Sequence, residues 1–165
     1  MNNISAPKVL VTGANGFIGH ALCARLLSEG FYVRGAVRER SSACELQGID
    51  ISIINSIGRD TDWTNALRGI DVVIHLAARV HVMRESVHDP LLAFREVNVM
   101  GTERLAQMSV SAGVRRIIYI SSIGVNGEST EQGAFTEDDI PSPCSPYAIS
   151  KWEAEEIIRA FSGEM

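Results

Sequence analysis

Long hydrophobic runs, a cysteine framework and an excess of positive charge are all missing from this chain of 165 residues, and each shortage excludes something. A helix that spans a bilayer needs roughly 20 consecutive apolar residues, and no stretch approaches that, so membrane insertion is not expected. The opening "MNNISAPK" lacks the cationic start and apolar core of a secretion signal, which makes the cytoplasm the expected location. Cys23, Cys44 and Cys144 are odd in number, far apart, and without a C-x-x-C or a matching histidine pair. They read as reduced packing or loop residues, not as a disulfide framework or a zinc site. The net charge of -5 and isoelectric point near 5.4 exclude a polyanion-binding surface, so nucleic acid is not an expected partner. A local pocket for one phosphate ligand remains compatible with that balance.

What is present is alternation. With 45% hydrophobic residues and a mean hydropathy of +0.08, the chain is long enough for one domain with a proper core. "KVLVTG" reads as a strand, and "FIGHALCARLLSEG" as a helix whose Phe17, Ile18, Leu22, Leu26 and Leu27 recur at helical spacing before Gly30 closes it. "FYVRGAV", "IDISII", "DVVIHLAA" and "VRRIIYISS" read as four more strands. "DTDWTNALRG" is a short helix with Asp60 or Thr61 as candidate cap, and 89–113 a long one with proline in its first turn and glycine after its last. Strands that are apolar nearly throughout, separated by helices, imply a parallel sheet covered on both faces. The fold class is therefore α/β, a doubly wound Rossmann-type sheet of order 3-2-1-4-5. The one long irregular stretch, 124–146, is expected to border a site.

"TGANGFIG" places Gly13, Gly16 and Gly19 at the first strand-to-helix junction. A tight turn, close approach of backbone to a pyrophosphate and close helix packing each exclude a side chain there. Glycines that merely punctuate a turn are the bland alternative, and their position between strand and helix argues against it. Further on, "YAISK" puts Tyr147 and Lys151 at i and i+4, on one helical face. A cation close to a phenol lowers a pKa that is otherwise about 10, which would bring Tyr147 toward acid–base use at neutral pH.

Taken in order, "TGANGFIG", "VVIHLAA", "NVMGT", "ISS" and "YAISK" resemble the extended short-chain dehydrogenase/reductase family, of the NAD-dependent epimerase/dehydratase type that includes nucleotide-sugar 4-epimerases and 4-reductases. The resemblance implies an NAD(P)-dependent enzyme in which Tyr147 is the general acid/base, Ser122 a hydroxyl that assists it, and Lys151 a residue that also holds the nicotinamide ribose. Ser121 is the neighbouring candidate, and strand alternation lets only one of the two face the cleft. Asn98 matches an asparagine that supports the lysine, although a polar residue packed between helix and sheet would look the same. Asn15, Phe17 and Ile18, together with the three glycines, would hold the dinucleotide. So would Leu76, Ala77 and Ala78, whose small residues suit a plain strand-to-loop junction equally well. His81 and His88 have no partner ligand at a recognisable spacing, so no metal is assigned.

Two departures bear on the cofactor. Where an NAD-selective fold carries an acid after its second strand, this chain has Val37 and then Arg38, which suits a 2'-phosphate and favours NADP over NAD. A solvated loop arginine, or one stacked on adenine, is the alternative. After the third strand an acidic residue is again replaced, by Ser56 and Ile57, at the expected adenine contact. The resemblance further implies a nucleotide-sugar substrate, most naturally a UDP-sugar, work in a polysaccharide pathway, and room for a homodimer. Family members are roughly twice this length, so residues 1–165 are expected to be the cofactor-binding domain without the substrate region. A non-catalytic Rossmann fragment is the competing reading.

Overall fold

In the computed structural model, which describes residues 6–39, 46–80, 88–130 and 133–165, the apolar runs become a parallel sheet. Strand β1 (Lys8–Thr12) shows why its sequence is apolar nearly throughout. Leu10 belongs to one core, with Trp63, Leu67, Val73 and Leu105, and Val9 and Val11 to another, with Cys23, Val33 and Ile74. A strand buried on both faces has no polar side to display. Strands β2 (Tyr32–Val37), β3 (Asp50–Ile53), β4 (Val72–His75) and β5 (Arg116–Tyr119) complete the order β3-β2-β1-β4-β5, every pairing parallel. This is the order expected from the sequence. The outermost strand differs: on β5 and just after it, Ile118 and Ile120 are about two-fifths exposed, at 41% and 40%, because an edge strand has a neighbour on one side only.

Helix α1 (Phe17–Ser28) packs Leu22, Cys23, Leu26 and Leu27 onto the Val9–Val11 face, and Gly30, with φ of 82°, turns the chain back. Phe17 and Ile18 do not join that core, although their spacing is helical. They occupy the first turn, before the helix has reached the sheet, and are 96% and 59% exposed. Helix α2 (Thr64–Leu67) begins later than the sequence suggests. Neither Asp60 nor Thr61 caps it. The Thr61 hydroxyl is consumed by the preceding loop, taking the Gly58 N–H at 2.9 Å and donating to the Ser56 carbonyl at 3.0 Å, while Asp62 accepts from the Thr64 N–H at 2.9 Å.

The expected long helix is interrupted from within. Asp89 caps its start by accepting from the Leu92 N–H at 3.0 Å, and α3 (Pro90–Arg95) then runs through a π-helical turn (Glu96–Met100) into α4 (Gly101–Ser111). Such a turn inserts one residue into the helical repeat and rotates the residues beyond it about the helix axis. Here it contains the buried Asn98. Helix α5 (Pro146–Ala160) starts at Ser145, whose hydroxyl accepts from the Ala148 N–H at 3.2 Å, and packs against α3, the π turn and α4.

Away from the carboxyl ends of the strands, Arg34 ties β2, β3 and α2 together. Its guanidinium reaches Asp50 at 2.7 Å and the carbonyls of Asn65, Ala66 and Arg68 at 3.2, 3.1 and 2.9 Å, which a helix end would otherwise leave unpaired. Arg34→Met should lower stability by about 2 kcal/mol, or roughly 4–8 °C in the melting midpoint, by stripping these acceptors of their partner. Calorimetry checks the shift; an unchanged midpoint would remove Arg34 as the tie.

Candidate functional site

β1 and β4 lie side by side at the centre of the sheet, and the chain leaves them in opposite directions. A crevice must open there, outside the carboxyl ends of the strands. Gly13 turns the chain out of β1 with φ of 67°, and a Cβ on it would come within 3.1 Å of the Ala77 backbone. On Gly19 a Cβ would collide with the Gly13 carbonyl oxygen, so α1 can begin this close to β1 only with glycine at that place. Gly16 starts the helix with no side-chain cap, leaving first-turn amides and the positive end of the helix dipole for an anion.

The crevice has a volume of about 470 Å³. Gly13, Asn15, Gly16, Arg38, Ser56, Ile57, Leu76, Ala77 and Ala78 line it, as the sequence suggests they should. Phe17, Ile18 and Gly19 do not: the first two project from α1 beside the crevice, and Gly19 is buried behind it. Asn55, Trp63, Arg79 and Val97 also line it, and the sequence does not single them out. No motif marks them, because they converge from two separate connections, Asn55 and Trp63 between β3 and β4, and Arg79 and Val97 between β4 and β5. The shape and the donors suit a dinucleotide with its diphosphate at the α1 terminus.

Ser122, Tyr147 and Lys151 gather at the end of β5. Ser122 caps a short 3-10 turn (Ile123–Val125), taking the Gly124 N–H at 3.2 Å, and its hydroxyl acts on the Tyr147 phenol to lower its pKa. The Ser121 hydroxyl is buried apart from this pair. One of the two serines meets the tyrosine, as alternation requires. The expected effect of Lys151 on Tyr147 is not what the structure shows. Burial pushes the Tyr147 phenol up, opposed only in part by the Ser122 hydrogen bond. The Lys151 ammonium is engaged elsewhere, donating to the Ile120 carbonyl at 2.7 Å and lying 4.0 Å from the centre of the Tyr119 ring. The i, i+4 spacing shares a face, but a carbonyl and a ring offer the buried cation more than a phenol does.

Asn98 sits beside this group, and its side chain is directed to Arg79 and Ser150. Its amide accepts from the Arg79 N–H at 2.7 Å and donates to the Arg79 carbonyl at 3.1 Å and to the Ser150 hydroxyl at 2.9 Å. It therefore clamps the loop after β4 to the residue preceding Lys151. Arg79 in turn stacks on Phe94, with its guanidinium carbon 5.5 Å from the ring centre, and Phe94 meets Tyr147 edge-on at 6.0 Å. His75 is a further member, to which the reading of "VVIHLAA" assigns no role: it is buried between Thr12 and Thr102, and burial together with the Lys151 charge lowers its pKa to about 3.

Of the remaining expectations, Cys23 is buried with its thiol pushed up to about 11, Cys144 is exposed, and Cys44 and His81 lie outside the described residues. Among the described residues no group of three or more metal-ligating side chains is found, and no helix is long and apolar enough to cross a membrane.

Known proteins share this fold. Residues 9–165 match the NAD dependent epimerase/dehydratase family. The chain belongs to that family. It is 40% identical over 159 residues to a UDP-glucose 4-epimerase of Vibrio cholerae, covering 94% of this chain and 48% of that one. A short-chain dehydrogenase/reductase superfamily protein from Agrobacterium tumefaciens, solved with bound NAD, superposes with a TM-score of 0.81 at 32% identity, over 96% of this chain and 46% of that one. The UDP-glucuronic acid 4-epimerase of Bacillus cereus, solved with UDP-glucuronic acid and NAD, gives 0.79 at 31% identity, over 94% and 52%. The chain thus spans about half the length of the relatives it matches.

For this family member the buried ammonium has a measurable consequence. Desolvation lowers the Lys151 pKa from 10.5 to about 8, with Glu155 pulling the other way. Between those values the unfolded chain holds a proton that the folded chain has released, so stability rises with pH across that window and the fold is penalised below it. Lys151→Met removes this titration, so the variant's stability relative to the parent should be more favourable at pH 7 than near pH 10.5, by on the order of 2–3 kcal/mol, whatever the constant loss of the Ile120 and Tyr119 contacts. Denaturant titrations at pH 7 and pH 10 check this; a gain independent of pH would contradict it.

Proposed function

We propose that residues 1–165 form the dinucleotide-binding and proton-transferring domain of a nucleotide-sugar 4-epimerase or 4-reductase. The observation that carries the proposal is the Ser122 hydroxyl acting on the half-buried Tyr147 phenol at the end of β5, in the same sheet as a crevice whose glycine turn and open helix terminus suit a diphosphate. When bound, a nicotinamide supplies the hydride acceptor or donor for C4 of the sugar. Ser122 orients the Tyr147 phenol and can donate to the sugar oxygen as charge develops on it. With its pKa pushed up, Tyr147 is held protonated, which suits the donating direction. For the reverse direction a cation near the phenol would lower that pKa, and Lys151, one turn further along α5, is this chain's nearest sequence neighbour able to supply one. A UDP-sugar substrate draws support from the UDP-sugar names of the relatives. The competing reading, a binding module without turnover, draws support from the half-length match.

Product analysis with a panel of UDP- and dTDP-sugars, on the native polypeptide, separates the two. Tyr147→Phe should slow turnover by about a hundredfold or more while dinucleotide affinity survives. Unaltered turnover would take Tyr147 out of the chemistry, and no product from any sugar nucleotide would favour the binding module.

The choice of cofactor turns on Arg38, which is exposed at the mouth of the crevice. Its guanidinium supports NADP, whereas the NAD held by similar structures supports NAD. If it grips a 2'-phosphate, Arg38→Ala should weaken NADPH by about tenfold or more and leave NADH nearly unchanged, since a charge-assisted hydrogen bond contributes roughly 1.5–3 kcal/mol. Equal losses in fluorescence titrations would instead assign Arg38 to the adenine ring.

A further inference from the structure

Thr12, His75, Thr102, Asn98 and Ser150 are all buried, and they are joined into one chain of hydrogen bonds that crosses the domain. Its polarity is set by the number of lone pairs. The Thr12 hydroxyl accepts from the N–H groups of Leu76 and Ala77, at 3.2 and 3.1 Å, which occupies both of its lone pairs. Its single proton must then point along the third contact, 2.6 Å to the His75 Nδ1. Nδ1 is therefore an acceptor, and the imidazole carries its proton on Nε2. From there it donates to the Thr102 hydroxyl at 3.1 Å, which passes its own proton to the Asn98 carbonyl at 2.6 Å. A second proton on the ring would face the Thr12 hydroxyl proton and break this sequence.

We infer that His75 is a positioning residue, whose Nε2-protonated imidazole holds the phosphate-binding turn and the Asn98 clamp in one geometry. Its two ends bear on different parts of the site. One end sets Thr12, next to Gly13, and the Leu76–Ala77 backbone that walls the crevice. The other sets the π turn, from which Asn98 holds both backbone groups of Arg79 and the hydroxyl of Ser150, beside Lys151. Neither His75 nor Thr102 lines the crevice, so any influence of theirs on a bound dinucleotide passes through these bonds. The inference rests on the reading of the crevice as a dinucleotide site.

Two measurements test it, and the first needs no variant to fold. Nitrogen NMR of the unmodified protein should show the His75 ring as the Nε2–H tautomer, with no titration between pH 5 and pH 8; an Nδ1–H ring would overturn the inference whatever the crevice binds. The second uses NADH, or NADPH if that binds more tightly. His75→Phe and Thr102→Val should each weaken it by about tenfold, their combination no further than His75→Phe alone, and His75→Gln, whose amide can still donate to Thr102, should lie within about threefold of the parent. Additive losses, or a Thr102→Val variant with unchanged affinity, would overturn the inference. Failure of the unmodified protein to bind either dinucleotide would instead count against the dinucleotide reading, and the tautomer would still decide the role of His75.

Discussion

A threonine hydroxyl has one proton and two lone pairs, and at Thr12 all three are committed. The parallel register sets Thr12 opposite His75, the last paired residues of β1 and β4. Beyond them the two chains diverge, and β4 would be free to continue in any direction if its next two amides were unpaired. The Thr12 hydroxyl takes both, so the Leu76–Ala77 segment folds over the end of β1 and comes to rest against Gly13. Both walls of the crevice are thereby referred to a single oxygen atom. The switch point of the sheet determines where a ligand can bind, and this contact determines the shape of what it meets.

The same corner restricts charge. His75 and Lys151 are both buried, and the charge on the lysine is one of the causes that lower the histidine pKa. Two cations so placed would repel each other in surroundings that stabilise neither. The structure accommodates one: the ammonium has the Ile120 carbonyl and the face of Tyr119, whereas the imidazole has two hydroxyls whose proton order suits only its neutral form. A polar core can be rigid in this way because each member is satisfied in one arrangement only.

How much of this could be read beforehand depends on the range over which each signal acts. The strands and the glycine turn were legible because apolar runs and a strand-to-helix junction are local patterns. Arg38, Ser56 and Ala77 were legible because they lie just past strand ends, and strand ends must surround the crevice. The π turn was not, since the signals that mark a helix over 89–113 are those at its ends, the proline of its first turn and the glycine after its last, and these say nothing of a residue inserted between them. Nor was the destination of the Lys151 ammonium, because its acceptor is a backbone carbonyl 31 residues away and backbone groups leave no trace in sequence. His75 sat in plain view within "HLAA", but its two partners stand 63 and 27 residues distant and are threonines, which signal nothing alone.

The pairing of Ser122 with Tyr147 raises a related question of distance, since 24 residues of mostly irregular chain separate them. A loop of that length would ordinarily let its ends wander, and closing it costs entropy that one contact between hydroxyls repays poorly. The structure secures the ends before they reach the pair. Just after Ser122 the buried Val125 accepts from the Ser142 N–H at 2.9 Å, and Asn126 donates to the Thr136 carbonyl at 3.2 Å. At the far end Ser145 caps α5, with Pro146 in the first turn, so Tyr147 enters the helix already oriented. The two hydroxyls are thus brought together by ties on either side of them.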